Sequence, residues 1–429
     1  MRALFVTPSE TGSGEAITAL HMAEDVLRGG GEVHFLTSRA TSRFVAAALP
    51  GRSTPLTGEA ETNRRTWAET LRAFRPSVVV FADFPLLFFT NGASPLADEA
   101  WLDGLRRLDA ALVTLDHLGY AQGPMSLYFG PPHLCLHAET LPAPPPEMEV
   151  LLPCPVQDPE PAAPGTPDRG TPDRGRRGRP FRCWDLPLEI AAGDRRAVRR
   201  RCLDDPRDLL IFHSVPAWAW KMARRGGLPY FEVLSRLLEV HLAALPRPVT
   251  VISVNNGALL APSRAAGVRF VNLDALPRDD YQRLLLAADL MLTENGFSVS
   301  LGKAVCGLVP CALLRNSHRL SELLDRLGEG PLRRIVREME DVRLGAVFPW
   351  EVFPIFDRPV LERLGLRSPD GFAAAFAGLE VFGEETGPRL RALLTDSDTR
   401  ERLRVRQRCY VDRLRRLPSA GEALAELSF

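Results

Sequence analysis

Leu290-Met291-Leu292-Thr293-Glu294-Asn295-Gly296-Phe297-Ser298-Val299-Ser300-Leu301-Gly302-Lys303-Ala304-Val305-Cys306-Gly307-Leu308-Val309-Pro310 is the stretch that decides the fold. Leu290–Thr293 is a short apolar run and reads as a strand. Gly296 permits a tight turn, and the small polar residues Ser298 and Ser300 open a helix that runs to Cys306. Val309–Leu314 then reads as another strand. A helix that starts directly after a strand leaves free backbone N–H groups at the positive end of its dipole, an anion site suited to a diphosphate. Lys303 lies one turn in and could add a cation.

The same alternation extends in both directions. Asp208–Ser214, Pro248–Val254 and Val268–Leu273 read as strands, and Pro229–Ala244 and Pro277–Ala288 as helices. In the first half, Arg2–Thr7, Glu32–Thr37, Ser77–Ala82 and Ala110–Leu115 read as strands. Glu15–Arg28 carries apolar residues at helical spacing and ends at Gly29-Gly30-Gly31, and Asp98–Leu108 is a further helix. Strands separated by helices must run parallel, because a parallel pair requires a crossover. The expected class is α/β, with two Rossmann-like, doubly wound parallel-sheet domains facing a cleft. The first domain is placed at 1–155 and a linker or insert at 156–205. That insert contains the tandem repeat Gly165-Thr166-Pro167-Asp168-Arg169 and Gly170-Thr171-Pro172-Asp173-Arg174, too polar to bury a core. The second domain is placed at 206–390 and a helical tail at 391–429, with Asp396–Leu417 a long arginine-rich helix.

With 429 residues, the chain is long enough for two cores. Its 53 Lys+Arg balance 53 Asp+Glu, so no overall basic field argues for nucleic acid or an anionic membrane. Only Lys221 and Lys303 are lysines, so arginine supplies nearly all the positive charge. No apolar run approaches the length of a membrane-spanning helix. The first residues read as a buried strand without a cleavage site, and the seven cysteines form no Cys-x-x-Cys pair. A cytoplasmic protein with reduced thiols is the expectation.

Chemistry-bearing residues collect after strands. Glu15 lies in the glycine-rich stretch Pro8-Ser9-Glu10-Thr11-Gly12-Ser13-Gly14-Glu15, Asp83 follows one strand, and Asp116-His117 follow another. Each is a candidate base, with Glu15 favoured and Asp116 or His117 next. His213-Ser214 ends a strand of the second half, and Lys221 follows in the loop with Trp218 and Trp220. A Walker loop is excluded, because Gly296 and Gly302-Lys303 are separated by five residues and Ala304 follows. His133, Cys135 and His137 share one face of a strand, yet no second ligand pair with zinc spacing accompanies them.

Asn295, Gly296, Ser298, Ser300, Lys303-Ala304 and, less closely, Gly307 and Pro310 resemble the donor-binding element of the GT-B glycosyltransferases. Leu276-Pro277 with Tyr281 looks like that family's loop beside the nucleobase, and the glycine-rich start looks like its acceptor-side loop. The resemblance spans most of the chain. It implies hexosyltransferase-type activity, in which a sugar passes from a nucleotide-diphosphate donor, UDP- or dTDP-linked, to a small-molecule or peptide acceptor, with no protein-held metal. Glu15, Asp116 and His117 are the implied catalytic candidates, and Ser214, Lys221, Leu276, Glu294, Asn295, Gly296, Ser298, Ser300 and Lys303 the implied donor contacts. Glu294-Asn295-Gly296 replaces the usual glycine doublet, and Lys303 stands where many members carry a ribose-binding glutamate. A nucleotide-sugar epimerase of the same fold, using a histidine such as His213, and a catalytically silent partner protein are the alternatives.

Overall fold

The structure is a computed structural model that describes residues 1–10, 14–88, 95–117, 119–120, 125–128, 138–156, 159, 178–215, 230–254, 260–263, 265–296, 298–315, 320–341 and 371–427. Its first half runs β1 (Arg2–Thr7), α1 (Gly14–Arg28), β2 (Glu32–Thr37), α2 (Arg39–Ala48), β3 (Ser53–Pro55), α3 (Ala60–Phe74), β4 (Val78–Phe81), α4 (Glu99–Leu105) and β5 (Ala111–Leu115). A hairpin of β6 (Met125–Tyr128) and β7 (Ala138–Leu141) precedes β8 (Glu149–Cys154) and β9 (Arg179–Arg182). The sheet order is β3-β2-β1-β4-β5-β8-β9, with every neighbouring pair parallel. Covered on both faces, its central strands can be apolar throughout: Val78, Val79, Val80 and Phe81 are all fully buried.

The second half begins with α5 (Ala192–Cys202) and β10 (Leu209–Ser214), followed by α6 (Tyr230–Leu242), β11 (Val249–Val254), β12 (Val268–Leu273), α7 (Arg278–Ala287), β13 (Leu290–Thr293), α8 (Val299–Cys306) and β14 (Cys311–Arg315). The chain ends with α9 (Leu320–Arg326), α10 (Pro331–Asp341), β15 (Ala377–Glu380), α11 (Thr386–Thr395), α12 (Ser397–Leu414) and α13 (Ala420–Ala425). The order β12-β11-β10-β13-β14-β15 is again parallel throughout. In each sheet the strand order reverses beside the first strand, between β1 and β4 and between β10 and β13. Such switch points leave a crevice at the strands' carboxyl ends, where open α/β sheets bind ligands.

The stretch expected as a linker also carries structure: β9 extends the first sheet and α5 packs on α7. The repeat at 165–174 lies outside the described residues. The C-terminal tail returns to the first half. The Gly421 amide donates to Asp25 Oδ2 at 3.2 Å, the Arg182 amide donates to Pro418 O at 2.9 Å, and α13 packs on α1. One hydrophobic cluster runs from Phe5 and Leu20 of the first half through Trp184 to Phe212, Leu301 and Tyr410. The approach of α8 to the crossover explains Gly302. A Cβ there would stand 2.8 Å from Pro155 Cγ and 3.1 Å from Trp184 Cη2.

Candidate active site

The first sheet's switch point gathers Glu15, Asp83, Asp116, His117 and Tyr120. Glu15 lies in the first turn of α1, the helix that follows β1. Asp83 follows β4, and Asp116 and His117 follow β5. Asp83 is fully buried and His117 is 4% exposed. His117 Nδ1 stands 3.0 Å from Asp83 Oδ2, and its backbone amide donates to Asp83 Oδ1 at 3.3 Å. The buried Tyr120 hydroxyl contacts both Asp83 Oδ1 and the Leu115 carbonyl. Asp116 instead shapes the backbone. Its Oδ1 accepts from the amides of Gly119 at 2.5 Å and Tyr120 at 3.1 Å, closing the turn after β5.

Burial alone would weaken the charged form of His117, but the charge and contact of Asp83, helped by Glu15 and Asp116, outweigh it and hold its pKa above the ordinary value. Among the described residues, His117 Nε2 and Glu15 Oε2 are shielded from solvent and have no hydrogen-bond partner. Burial, then repulsion from Asp83, raises the Glu15 pKa, and His117 partly offsets this. Burial and the same carboxylates keep the Tyr120 hydroxyl protonated.

The second sheet's switch point gathers Ser214, Thr293, Glu294 and the turn into α8. The Thr293 hydroxyl donates to Ser214 O at 2.9 Å and accepts from the Asn295 amide at 3.1 Å. Ser298 caps α8, its hydroxyl accepting from the Ser300 amide at 3.2 Å. Tyr281 joins the walls, with its hydroxyl 3.2 Å from Ser214 Oγ and 2.7 Å from Ser300 Oγ. Asn295 and Gly296 are buried in the turn, and Leu276 packs against the core. Glu294 is engaged by the protein: its Oε1 lies 2.8 Å from His213 Nε2, and His213 Nδ1 lies 3.2 Å from Ser253 Oγ. Lys221, Trp218 and Trp220 fall outside the described residues, as do His133, Cys135 and His137.

Lys303 lies inside the contact between the halves, 4% exposed. Its Nζ donates to Gln282 Oε1 at 3.2 Å and sits 5.7 Å from the centre of the Trp184 ring. Nearby, Arg278 of α7 pairs with Glu24 of α1 at 2.5 Å. Burial, then repulsion from Arg278, lowers the Lys303 pKa to about 8. A lysine depressed from 10.5 destabilises the fold by roughly 3 kcal/mol below pH 8. Between pH 8 and 10.5 the folded state has released a proton that the unfolded state still holds, so this group makes stability rise with pH. Lys303→Met is expected to flatten that rise in denaturant titrations run across the window and to raise stability at pH 7. Nucleotide titration of the same variant separates two roles: a phosphate contact would weaken affinity, whereas a packing role would leave it unchanged.

The two groups meet through Gly14 and Val299. A Cβ on Gly14 would lie 3.3 Å from Val299 Cγ2, so the first turn of α1, with Glu15 next in sequence, abuts the first turn of α8 between Ser298 and Ser300. Among the described residues no group of three or more His, Cys, Asp or Glu side chains could hold a metal ion, and no helix is long and apolar enough to cross a membrane.

Two doubly wound parallel sheets whose switch points meet in this way define the GT-B arrangement. Solved structures with this fold include glycosyltransferases. The chain matches the spinosyn rhamnosyltransferase SpnG complexed with thymidine diphosphate, at TM-score 0.51 and 14% identity over 100% of both chains. SpnG complexed with spinosyn aglycone matches at 0.51 and 15% over 100% of both chains. The spinosyn forosaminyltransferase SpnP matches at 0.51 and 14%, over 100% of this chain and 98% of that one. The chain itself belongs to DUF6365, a family of unknown function whose model matches residues 22–428. No curated protein matches it.

Asp83 was one of several strand-end candidates in the sequence, but its contact with His117 was invisible there. Tyr120 was not singled out at all, since its hydroxyl reaches Asp83 across 37 positions.

Proposed function

We propose that this protein transfers a sugar from a nucleotide-diphosphate donor to a small-molecule or peptide acceptor. The observation that carries the reading is the meeting of two unlike groups: a buried imidazole–carboxylate pair at one switch point and a serine-capped helix start at the other. His117 acts as general base. Asp83 holds one face of the ring and favours its charged form, so Nε2 is the atom that receives the acceptor's proton. The geometry favours His117 over Glu15 because His117 has an orienting partner and Glu15 has none. Asp116 supports the turn that carries His117.

On the donor side, the Gly296 amide and the start of α8, in a turn shaped by Asn295 and Ser298, with the hydroxyls of Ser300 and Ser214, would hold the diphosphate, and the N-terminal dipole of α8 would stabilise the charge that grows on the leaving group. Leu276 would line the base, and Lys221 and Lys303 would be donor-side cations. Thymidine diphosphate bound to SpnG supports a nucleotide as the donor's handle. His213 argues against the epimerase reading: it is fully buried and both its ring nitrogens have protein partners. The test is product analysis with an isotope-labelled UDP- or dTDP-sugar and a panel of acceptors. A mass gain on an acceptor with release of nucleoside diphosphate is expected, and an altered free sugar as the sole product would overturn the assignment.

A further inference from the structure

A buried carboxylate can orient a histidine only while it is itself held. The two oxygens of Asp83 have different tasks. Oδ2 stands 3.0 Å from His117 Nδ1, and Oδ1 takes two donors, the His117 amide at 3.3 Å and the Tyr120 hydroxyl. The amide contact is long for a hydrogen bond, whereas a hydroxyl on a carboxylate makes a short, charge-assisted one. Tyr120 is therefore the stronger hold on Oδ1.

Tyr120 is in turn fixed along its length. Asp116 Oδ1 accepts from its backbone amide at 3.1 Å and from that of Gly119 at 2.5 Å, and the turn so closed brings the phenol back to the end of β4. The hydroxyl has one proton and two acceptors within reach, Asp83 Oδ1 and the Leu115 carbonyl. That carbonyl also accepts from the Thr114 hydroxyl at 3.2 Å, and the carboxylate is the charged acceptor of the two, so the phenol proton belongs on Asp83. Burial and the neighbouring carboxylates keep the phenol protonated, so it stays a donor.

Building on the glycosyltransferase reading, we infer that Tyr120 is a positioning residue for the base: its hydroxyl holds the Asp83 carboxylate in the orientation that presents Oδ2 to His117 Nδ1. With Tyr120 only 1% exposed, its influence reaches substrate through Asp83 and the His117 ring. The direction of Nε2, the atom assigned to the acceptor's proton, depends on that hold.

Tyr120→Phe keeps the ring and removes the hydroxyl. Asp83 Oδ1 retains the His117 amide and the Leu115 carbonyl retains Thr114, so the variant is expected to fold and to melt close to wild type. Two measurements test the role. The first follows the titration of His117 by NMR in ligand-free, full-length protein with labelled histidine, its signal identified among the eight histidines by its loss in His117→Gln. The ring faces Asp83 after β4, Glu15 on α1 and Asp116 on its own turn, and Asp83 favours its charged form most. Releasing that carboxylate should move the titration of His117 to lower pH. The second measurement is sugar transfer. In Tyr120→Phe, kcat should fall about tenfold to a hundredfold, the scale of misplacing a reacting group, with acceptor KM and nucleotide affinity unchanged. In a His117→Gln background the same substitution should cost nothing further, because the two residues act as a unit. A His117 titration that stays in place or moves up overturns the inference. So does an equal loss of kcat in both backgrounds, or a Tyr120→Phe chain that does not fold, since the hydroxyl would then be structural. If His117→Gln transfers sugar at the wild-type rate, or the wild type transfers none, the reading of the site fails instead, and the titration still decides whether Tyr120 holds Asp83.

Discussion

Replacing His117 with glutamine is expected to slow sugar transfer by about 10²–10⁴-fold, the range a positioned general base contributes, without weakening nucleotide binding. The ring stands at the carboxyl end of β5, across the junction from the turn that would hold the diphosphate, so its loss removes proton transfer and leaves the donor side intact. Glutamine keeps a polar side chain of similar length beside Asp83 and limits structural damage. The measurement is steady-state kinetics beside calorimetric titration of nucleoside diphosphate on the same preparation. A fall in kcat at constant nucleotide affinity is the expected pattern, and unchanged kcat would exclude His117 as the base.

Asp83→Ala is expected to have the largest effect on stability, about 3–5 kcal/mol, the cost of breaking a buried pair by removing one partner. The substitution strands the His117 ring and amide and takes one of the two contacts of the Tyr120 hydroxyl. Its pH dependence identifies the cause. The His117 pKa is raised above 6.5 in the fold, so the stability from this pairing is fully present below pH 6.5 and is lost as pH rises through the folded value. The gap between wild type and Asp83→Asn in urea denaturation should therefore be widest in acid and narrow towards alkaline pH. A gap that does not change across this range would mean that the carboxylate acts through packing alone.

The alternation of the chain was largely legible in its sequence, because fully buried parallel strands advertise themselves as short apolar runs. β1, β2, β12 and β13 lie where the pattern placed them, and α1, α7 and α8 differ from it by a residue or so at each end. β3, β8, β9 and β15 were not placed, and for β3 and β9 the reason is physical. Ser53-Thr54-Pro55 and Arg179-Pro180-Phe181-Arg182 are sheet-edge strands, only partly buried, and carry no continuous apolar run. β9 also sits beside a repeat whose composition argues for a linker.

The candidate site was half legible. Residues that follow strands could be located individually, since strand ends are where such folds place ligands. Which of them touch could not be read, because Asp83 and His117 are brought together by the pairing of β4 with β5 and Tyr120 joins them through the turn held by Asp116. Lys303 teaches the converse. Its rarity and its place in a helix after a small-residue turn suggested a phosphate contact. Its partners in the fold are Gln282 and Trp184, contributed by α7 and the crossover, which no local pattern reveals.

Thermal unfolding with thymidine diphosphate or uridine diphosphate tests the central claim most directly, because a ligand that binds only the folded state must stabilise it. At about one hundred times its dissociation constant, the right nucleotide should add about 2.7 kcal/mol. Ser300→Ala should reduce that gain and His117→Gln should not. No stabilisation by either nucleotide up to millimolar concentration would contradict the assignment of the second switch point as a donor site.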